Sequence, residues 1–583
     1  MMGSTYCFKL NERVVIVTKY LSAVALLFLC LLPGLTRAEP PDGLANISYS
    51  EDSLFEVISY LLTVRHGEEG LPDNPTYSIM VDGHIVVACD EGAGVLDLTD
   101  PYDVKLASTY WYDNYHSANP EYDNWGLTTG YGGIHAVRMD SSFLEIVDYS
   151  DLNNPQIVST VELPEPYHLF RPNGSHWAWG YPIATAWQAP YLYSAMREVG
   201  IDIIDVHDIR NPRVVKRFSV EPDVTNPGNF FVIGNLLFAG RYRNKWIGAY
   251  DISDPENPQL LFSERDSDKA KGWQIWVNGN KLFRSGDKVH VWDVSDPTNF
   301  EFLETYETNS GCEAMAHGHC SSGGTDTQDE FLFLGGSHFG VYKWSLETGD
   351  LIGHSGPFHK PGSTEKLDYY DTDYPNVVGN LVVAGSEDHL QGVFVIPHQA
   401  EPDNTPPEVN MVVPKNGDTN QATTSRVGLT FTDAIDPASV TTETFIVRES
   451  GGSALPGKYS MYRSIVNFSP DQPLETNKTY EVVVPAGGIT DYMGNAAAET
   501  FSSNFSTGDA VSVRPEPAKK GSAGPRIAPS LQVIGTGRQG FQEARDAQLF
   551  TIRGSRVPMN KHIRGPESEA GVSRGVYVIS RRK

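Results

Sequence analysis

The stretch Ala249-Tyr250-Asp251-Ile252-Ser253-Asp254-Pro255-Glu256-Asn257-Pro258 decides the fold, because it recurs. An apolar strand ends in Asp, a short apolar-polar step follows, and Asp-Pro or Asn-Pro closes the unit. The same order stands in Val95-Leu96-Asp97-Leu98-Thr99-Asp100-Pro101, in Ile146-Val147-Asp148-Tyr149-Ser150-Asp151, in Ile203-Ile204-Asp205-Val206-His207-Asp208 and in Val291-Trp292-Asp293-Val294-Ser295-Asp296-Pro297. The strand-ending aspartates are 51, 57, 46 and 42 residues apart, which is the period of a β-propeller blade, a unit of about 40–50 residues and four strands. Two looser copies, Gly340-Val341-Tyr342-Lys343-Trp344-Ser345 and Gly392-Val393-Phe394-Val395-Ile396-Pro397, follow in phase. Seven copies between about residues 77 and 398 predict seven blades.

The repeated Asp has a local task. At a strand end its carboxylate accepts hydrogen bonds from amides two or three residues on, and the following Pro fixes φ and stops the ladder. These aspartates are therefore read as turn residues and not as catalytic ones. Each copy is preceded by another apolar strand and a tight-turn signal, as in Val277-Asn278-Gly279-Asn280-Lys281 and Val378-Gly379-Asn380-Leu381, where Asn-Gly or Gly-Asn suits a two-residue hairpin loop. Ring closure calls for a strand from before residue 77, and Phe55-Glu56-Val57-Ile58-Ser59-Tyr60 is the candidate, since pairing first and last blades removes an open edge. The Val-x-Val/Ile-Asp-Val/Ile-Ser-Asp-Pro pattern resembles the LVIVD-repeat family of bacterial exported propellers. That resemblance implies a propeller over residues 39–398 and a cell-surface setting, and it carries no reaction.

After Pro397 the composition changes. Residues 399–404 begin a proline-rich linker that runs into Thr405-Pro406-Pro407, and short alternating strands follow: Val427–Phe431, Thr444–Val447, Ile465–Phe468 and Tyr480–Val484. Strands at this spacing make a small β-sandwich. Thr405-Pro406-Pro407, Phe431-Thr432-Asp433-Ala434-Ile435-Asp436-Pro437, Phe468-Ser469-Pro470 and Asp491-Tyr492-Met493-Gly494-Asn495 resemble the bacterial Ig-like domain first described in surface-layer proteins. The resemblance covers residues 405–508 and implies a spacer or adhesion module. Residues 509–530 read as a flexible linker. In residues 531–583, Leu549-Phe550-Thr551-Ile552-Arg553-Gly554-Ser555-Arg556-Val557 and Gly575-Val576-Tyr577-Val578-Ile579 form two strands, and the pair resembles the C-terminal sorting domain of the type IX secretion system. That implies contact with the secretion machinery; one more small β-module is the alternative. The expected class is all-β throughout: seven-bladed propeller, Ig-like sandwich, small C-terminal β module.

Residues 1–38 carry Lys9, Arg13 and Lys19, the apolar run Leu21–Leu32 and a small-residue exit at Ala38. This reads as a secretory signal peptide; lipidation at Cys30 is a lesser alternative, because Leu29 is a poor residue to precede it. No later stretch looks like a transmembrane segment. The formal net charge of −28 is uneven: residues 510–583 hold 14 Lys/Arg against 5 Asp/Glu, a net of +9. An acidic body speaks against general nucleic-acid binding, which needs basic patches to neutralise phosphate. The 54 Gly and 38 Pro exceed a typical combined usage of about 12%, as a turn-rich β protein requires.

Chemistry is sparse. Nothing resembles a Ser-His-Asp elbow, a phosphate loop or a zincin helix, so no catalytic, cofactor-binding or metal-ligating residue is assigned. In Cys312-Glu313-Ala314-Met315-Ala316-His317-Gly318-His319-Cys320 a disulfide between Cys312 and Cys320 suits an exported chain; zinc held by the same thiols and imidazoles is the alternative. Cys89, inside an apolar run, reads as a buried thiol. His135 and His317 both fall near the first strand of a blade, where two imidazoles can share the central channel, although solvated or core histidines are commoner. Calcium on acidic turns is plausible with so much negative charge, but no complete calcium-loop spacing localises it. Trp111, Tyr112 and Trp125, in an aromatic insertion between the first two blades, offer flat faces beside Asp and Asn of the kind that bind sugars. A second aromatic group contains Trp177, Trp179 and Trp187. The bland reading is that both groups form small cores of their own. The expected function is an exported cell-surface or secreted binding or adhesion protein, its ligand a surface glycan or a protein. An extracellular propeller enzyme on polysaccharide and a structural envelope component are the rivals.

Overall fold

The computed structural model describes residues 403–509 continuously and most of 59–399, the main segments outside it being 112–129, 164–181, 220–226, 308–321 and 356–370; beyond these it describes 5–10, 13–18, 55, 548–550 and 578–580. All regular structure of any length is β.

Between residues 59 and 397 the strands form a series of antiparallel sheets, built from strands consecutive in the chain except in the seventh, whose outer strand comes from the start of the series. The first holds Ser78–Val81, His84–Cys89, Gly92–Asp97 and Lys105–Trp111; the third Pro182–Gln188, Tyr191–Met196, Gly200–Asp205 and Arg213–Phe218. The fourth starts at Pro227–Ile233, the fifth at Gln274–Asn278, the sixth at Ser322–Gln328 and the seventh at Asp371–Val378. The leading strands of the third to seventh sheets pack against one another in sequence order, so they form the inner wall of a propeller. The middle strands are sandwiched between neighbouring sheets: Gly200–Ile204 is buried throughout, while the fourth strand, Arg213–Phe218, alternates between exposed and half-buried. This is why the third strand of each repeat reads as an unbroken apolar run and the fourth does not. Cys89 is a fully buried thiol in the first sheet.

Ser59–Leu62 supplies the outer strand of the seventh sheet, pairing with Gly392–Pro397. Closure by a strand from before residue 77 is thus what the structure has, with the pairing beginning at Ser59 and running to Leu62. The shift has a physical cause. Leu61 and Leu62 pack against the cores of the first and seventh sheets, and Ser59 Oγ accepts the Val104 amide at 2.9 Å.

The repeated aspartates turn the chain. Oδ1 of Asp148, Asp205, Asp251 and Asp293 accepts the amide two residues on, at 2.8, 3.0, 2.7 and 2.7 Å. The second Asp repeats the device, with Asp208 and Asp296 accepting from Arg210 and Thr298 at 3.0 and 2.9 Å. In the sixth sheet Ser345 Oγ takes the role, accepting from Glu347 and Thr348. A recurrent backbone bond ties this turn to the loop between the first two strands of the same sheet: Val206 to Pro190, Ile252 to Asn235, Val294 to Asn280, Leu346 to Glu330 and His398 to Asn380. Both kinds of turn therefore lie on one face of the propeller.

Residues 403–509 form a two-sheet sandwich. One sheet orders Val409–Val413, Val427–Phe431, Ile465–Pro470 and Gly457–Tyr462; the other orders Asp418–Gln421, Phe501–Thr507, Thr479–Val484 and Ile446–Glu449. Leu429, Phe431, Phe445, Val466, Phe468, Val482 and Phe505 make its core. At the chain ends, Thr5–Leu10 pairs with Arg13–Thr18 within the region expected to be a signal peptide, and Gln548–Phe550 pairs with Val578–Ser580 in the tail. Residues 518–583 form a unit of their own.

Candidate functional site

The sandwich is docked on the propeller face that carries the aspartate turns and the two-residue hairpin loops. Asp403, in the linker that precedes it, is itself buried.

The repeat motif prepares the dock. Once the Asp side chain has taken the amide of the Ser two residues on, the Ser carbonyl remains as an acceptor. Ser253 O accepts from Thr424 Oγ1 at 2.5 Å, and Ser295 O accepts from Lys415 Nζ. The hairpin loops do the rest. Gly234 and Gly379 have φ of 55° and 56°, the left-handed region that favours glycine. A Cβ on Gly234 would meet Val413 O at 2.7 Å, and one on Gly379 would meet Met493 Sδ at 2.5 Å, so these glycines also let the sandwich approach. In the sixth sheet Asp329 takes the corresponding place with φ 51° and donates its amide to Thr432 O at 2.7 Å.

The strands Gly457–Tyr462 and Ile465–Pro470 form the hairpin that enters the mouth of the propeller. Ser460 and Met461 pair with Tyr131 and Gly130, which extends the second propeller sheet (Gly130–Tyr131, His135–Met139, Phe143–Asp148 and Gln156–Glu162) directly into the sandwich. Ser460 Oγ donates to Trp187 O at 2.6 Å. Asn467 clamps the fourth sheet, accepting from the Gly234 amide at 2.8 Å and donating to Val232 O at 2.9 Å. Asn278, from the fifth sheet, donates to Phe431 O and Ser464 Oγ, both at 2.9 Å. At the tip, Arg463 sits in the left-handed region, φ 54°, and pairs its guanidinium with Asp326 Oδ2 at 3.0 Å; both side chains are less than a tenth exposed. The same guanidinium donates to Asn376 Oδ1 and lies over Trp276 and Tyr462, adding cation–π attraction. Burial pushes the Asp326 carboxyl up, while Arg463 and the amides of Val377 and Thr327 pull it back. The cavity beside the hairpin, lined by Trp187, Phe231, Tyr462 and Asn467 among others, holds about 20 Å³, room for a water and not for a ligand.

A second cluster lies at the junction of linker, sandwich and propeller. Asp403, Asp433 and Asp491 are buried, with one carboxylate oxygen from each within 4.8 Å of the others. Burial and then Asp403 push the Asp433 carboxyl well above its ordinary value, and burial pushes Asp491 up. Asp329 is pushed up to about 6, by burial first and the Asp403 charge second.

The residues singled out from sequence fare unevenly. Cys312, Cys320, His317, Tyr112, Trp125, Trp177 and Trp179 lie outside the described residues. Trp111 is the half-buried last residue of the fourth strand of the first sheet, opposite Gly92. Trp187 belongs to the core, 2% exposed, because it sits on an inner strand. Arg463, Asp326, Asn467 and the carboxylate cluster were not foreseen. The one available signal was the placement of Arg463 and Asn467 among Met461, Tyr462, Ile465, Val466 and Phe468, where polar residues interrupt an apolar hairpin.

Residues 403–507 match the family model described as a bacterial Ig-like domain. No curated protein matches the chain. Among solved structures it is similar to the WD40 β-propeller domain of Doa1, at 11% identity and a TM-score of 0.39 over 59% of this chain and 97% of that one. It is also similar to the β-propeller domain of Cps50 (Swd1) from Myceliophteria thermophila, at 10% and 0.40 over 59% and 99%. A computationally designed protein, Ika8, gives 13% and 0.34 over 58% and 99%. The propeller assignment rests on the strand order above. Among the described residues, no helix is long and apolar enough to cross a membrane.

Proposed function

We propose that the chain is an exported bacterial binding protein with a seven-bladed propeller, one mouth of which is sealed by its own Ig-like domain, so that ligand is met on the opposite face. The observation that carries this reading is the Arg463 hairpin filling the mouth. Because the strands alternate in direction, the fourth strand of each sheet leaves the docked face and ends on the other. Trp111 stands at that far end, and Tyr112 and Trp125 follow it in the sequence. Stacking on flat aromatic faces with nearby Asp and Asn acceptors fits a surface glycan. The experiment is a glycan-array screen of the full chain, followed by Trp111→Ala. A bound glycan whose affinity falls more than about tenfold in the variant, a loss of more than about 1.4 kcal/mol, supports the reading. Absence of any bound glycan, or binding indifferent to Trp111, removes the glycan face.

The bacterial Ig-like match supports an extracellular setting, and the signal-like residues 1–38 and the sorting-like residues 531–583 supply a route there. N-terminal sequencing of the protein recovered from the cell surface or medium is expected to start at Glu39. Recovery from the cytoplasm with Met1 intact overturns export.

A further inference from the structure

We propose that Asp403, Asp433 and Asp491 bind one calcium ion, which ties the linker to the Ig-like domain beside the propeller loop that carries Gln328. The donor set is three carboxylates drawn from three separate places: the linker, the end of the strand Val427–Phe431, and the loop that follows Thr490. One oxygen from each lies within 4.8 Å of the others. Two oxygens bound to one calcium can be no further apart than twice a bond of about 2.3–2.6 Å, so the spacing fits. Magnesium needs about 2.0–2.1 Å and prefers to keep its waters, and the absence of nitrogen or sulfur ligands in the trio disfavours zinc or copper.

A second observation points to a missing partner. Asp433 is 1% exposed, yet its Oδ2 accepts no hydrogen bond, although its Oδ1 accepts the Ala434 amide at 2.6 Å. Gln328, 3% exposed, donates Nε2 to Asp403 Oδ2 at 3.2 Å. A buried oxygen left unpaired is costly, and a hard cation at the trio satisfies that of Asp433. The other two carboxylates are held in place. Asp491 accepts the Met493 and Asn495 amides at 2.8 and 2.9 Å and Asn495 Nδ2 at 2.8 Å, and Asp403 accepts the Thr405 amide at 3.0 Å. Each oxygen retains lone-pair capacity for a metal.

The test uses the full chain stripped with EGTA and titrated with calcium chloride by calorimetry, with thermal melting in parallel. One calcium per chain is expected, with a dissociation constant in the range of about 10⁻⁶–10⁻³ M, and a melting temperature that rises with calcium; magnesium at equal concentration has less than about a tenth of the effect. Asp433→Asn is expected to weaken binding more than about tenfold. Its calcium-free melting temperature is expected to match that of the calcium-free parent, so its loss of binding is not a loss of folding. No calcium bound by the parent chain, or calcium bound equally well by Asp433→Asn, overturns the site.

Discussion

Replacing Arg463 by alanine is expected to loosen the Ig-like domain from the propeller. The change leaves Asp326 buried against the inner wall with its cation gone, and breaking one side of a buried ion pair costs about 3–5 kcal/mol. Alanine also inherits the left-handed backbone at the hairpin tip, φ 54°, a conformation costing an L-residue roughly 1–2 kcal/mol, without the contacts that hold it. Hydrogen exchange is the suitable measurement, because docking hides specific amides. The Gly234 amide is bonded to Asn467 Oδ1 and the Gly279 amide to Thr430 Oγ1 at 3.0 Å. Exchange at these two sites is expected to accelerate by more than about 100-fold, the equivalent of 3 kcal/mol or so, while amides inside the fourth sheet stay protected. Equal protection in the parent and Arg463→Ala chains at both sites would mean that the hairpin is not what holds the dock.

The pair can also be tested by removing both charges. Asp326→Asn combined with Arg463→Met eliminates the orphaned carboxylate and keeps the Asn376 and Trp276 surroundings apolar or neutral. A buried pair exchanged for neutral groups of similar volume is often tolerated, so the double variant is expected to recover most of the protection lost in Arg463→Ala. A double variant that exchanges as fast as the single one places the energy in the Arg463 contacts with Asn376, Trp276 and Tyr462, and not in the Asp326 charge.

The sequence shows those parts of the fold whose causes are local. A strand ending in Asp followed by a second Asp and Pro is self-contained chemistry, and the Asp251 and Asp293 bonds to the second amide on are visible in the letters. So are the Asn-Gly loops. The dock is invisible for the same reason. Its acceptors are the carbonyls of Ser253 and Ser295, which any residue would supply, and its donors are the amides and side chains of turn residues such as Asn278 and Gly234, which look solvated in sequence. Arg463 reads as an ordinary surface turn because its partner, Asp326, is 137 residues away. The carboxylate cluster was hidden differently. Asp403 follows a proline, Asp433 ends a strand and Asp491 opens an Asp-x-x-Gly-Asn loop, so each has a local excuse, and only the tertiary structure brings them together. With 73 acidic residues in the chain, no spacing rule could pick out these three.

The propeller is expected to lose stability on mild acidification through two buried histidines. His398 is 4% exposed. Its Nε2–H donates to Gly379 O at 2.8 Å, its Nδ1 accepts from Lys343 Nζ at 3.0 Å, and its ring packs edge-on against Phe333 at 4.8 Å. Burial first and the Lys343 charge second lower it to about 4, against smaller opposing pulls from the Gly379 carbonyl and then Asp403. His354, 5% exposed beside Tyr342, is lowered to about 4 by burial alone. A base whose folded pKa lies below its unfolded value of about 6.5 contributes stability that is fully present above 6.5 and is lost as pH falls toward 4. Between pH 7.5 and 5 each histidine therefore removes on the order of 2 kcal/mol. Asp329, raised to about 6, runs the opposite way, gaining stability as pH falls through 6, so the parent curve alone is ambiguous. The difference between variants is not. In His398→Gln, whose amide can still donate toward Gly379 O, the urea midpoint of the propeller is expected to fall less between pH 7.5 and 5 than in the parent, by the equivalent of ~2 kcal/mol. His354→Phe should show a similar reduction, and the two should add, since each is lowered by its own surroundings. A pH dependence unchanged in both variants would mean that these imidazoles are charged in the folded chain, and the buried Lys343–His398 contact would then have to be redrawn with a carboxylate facing it.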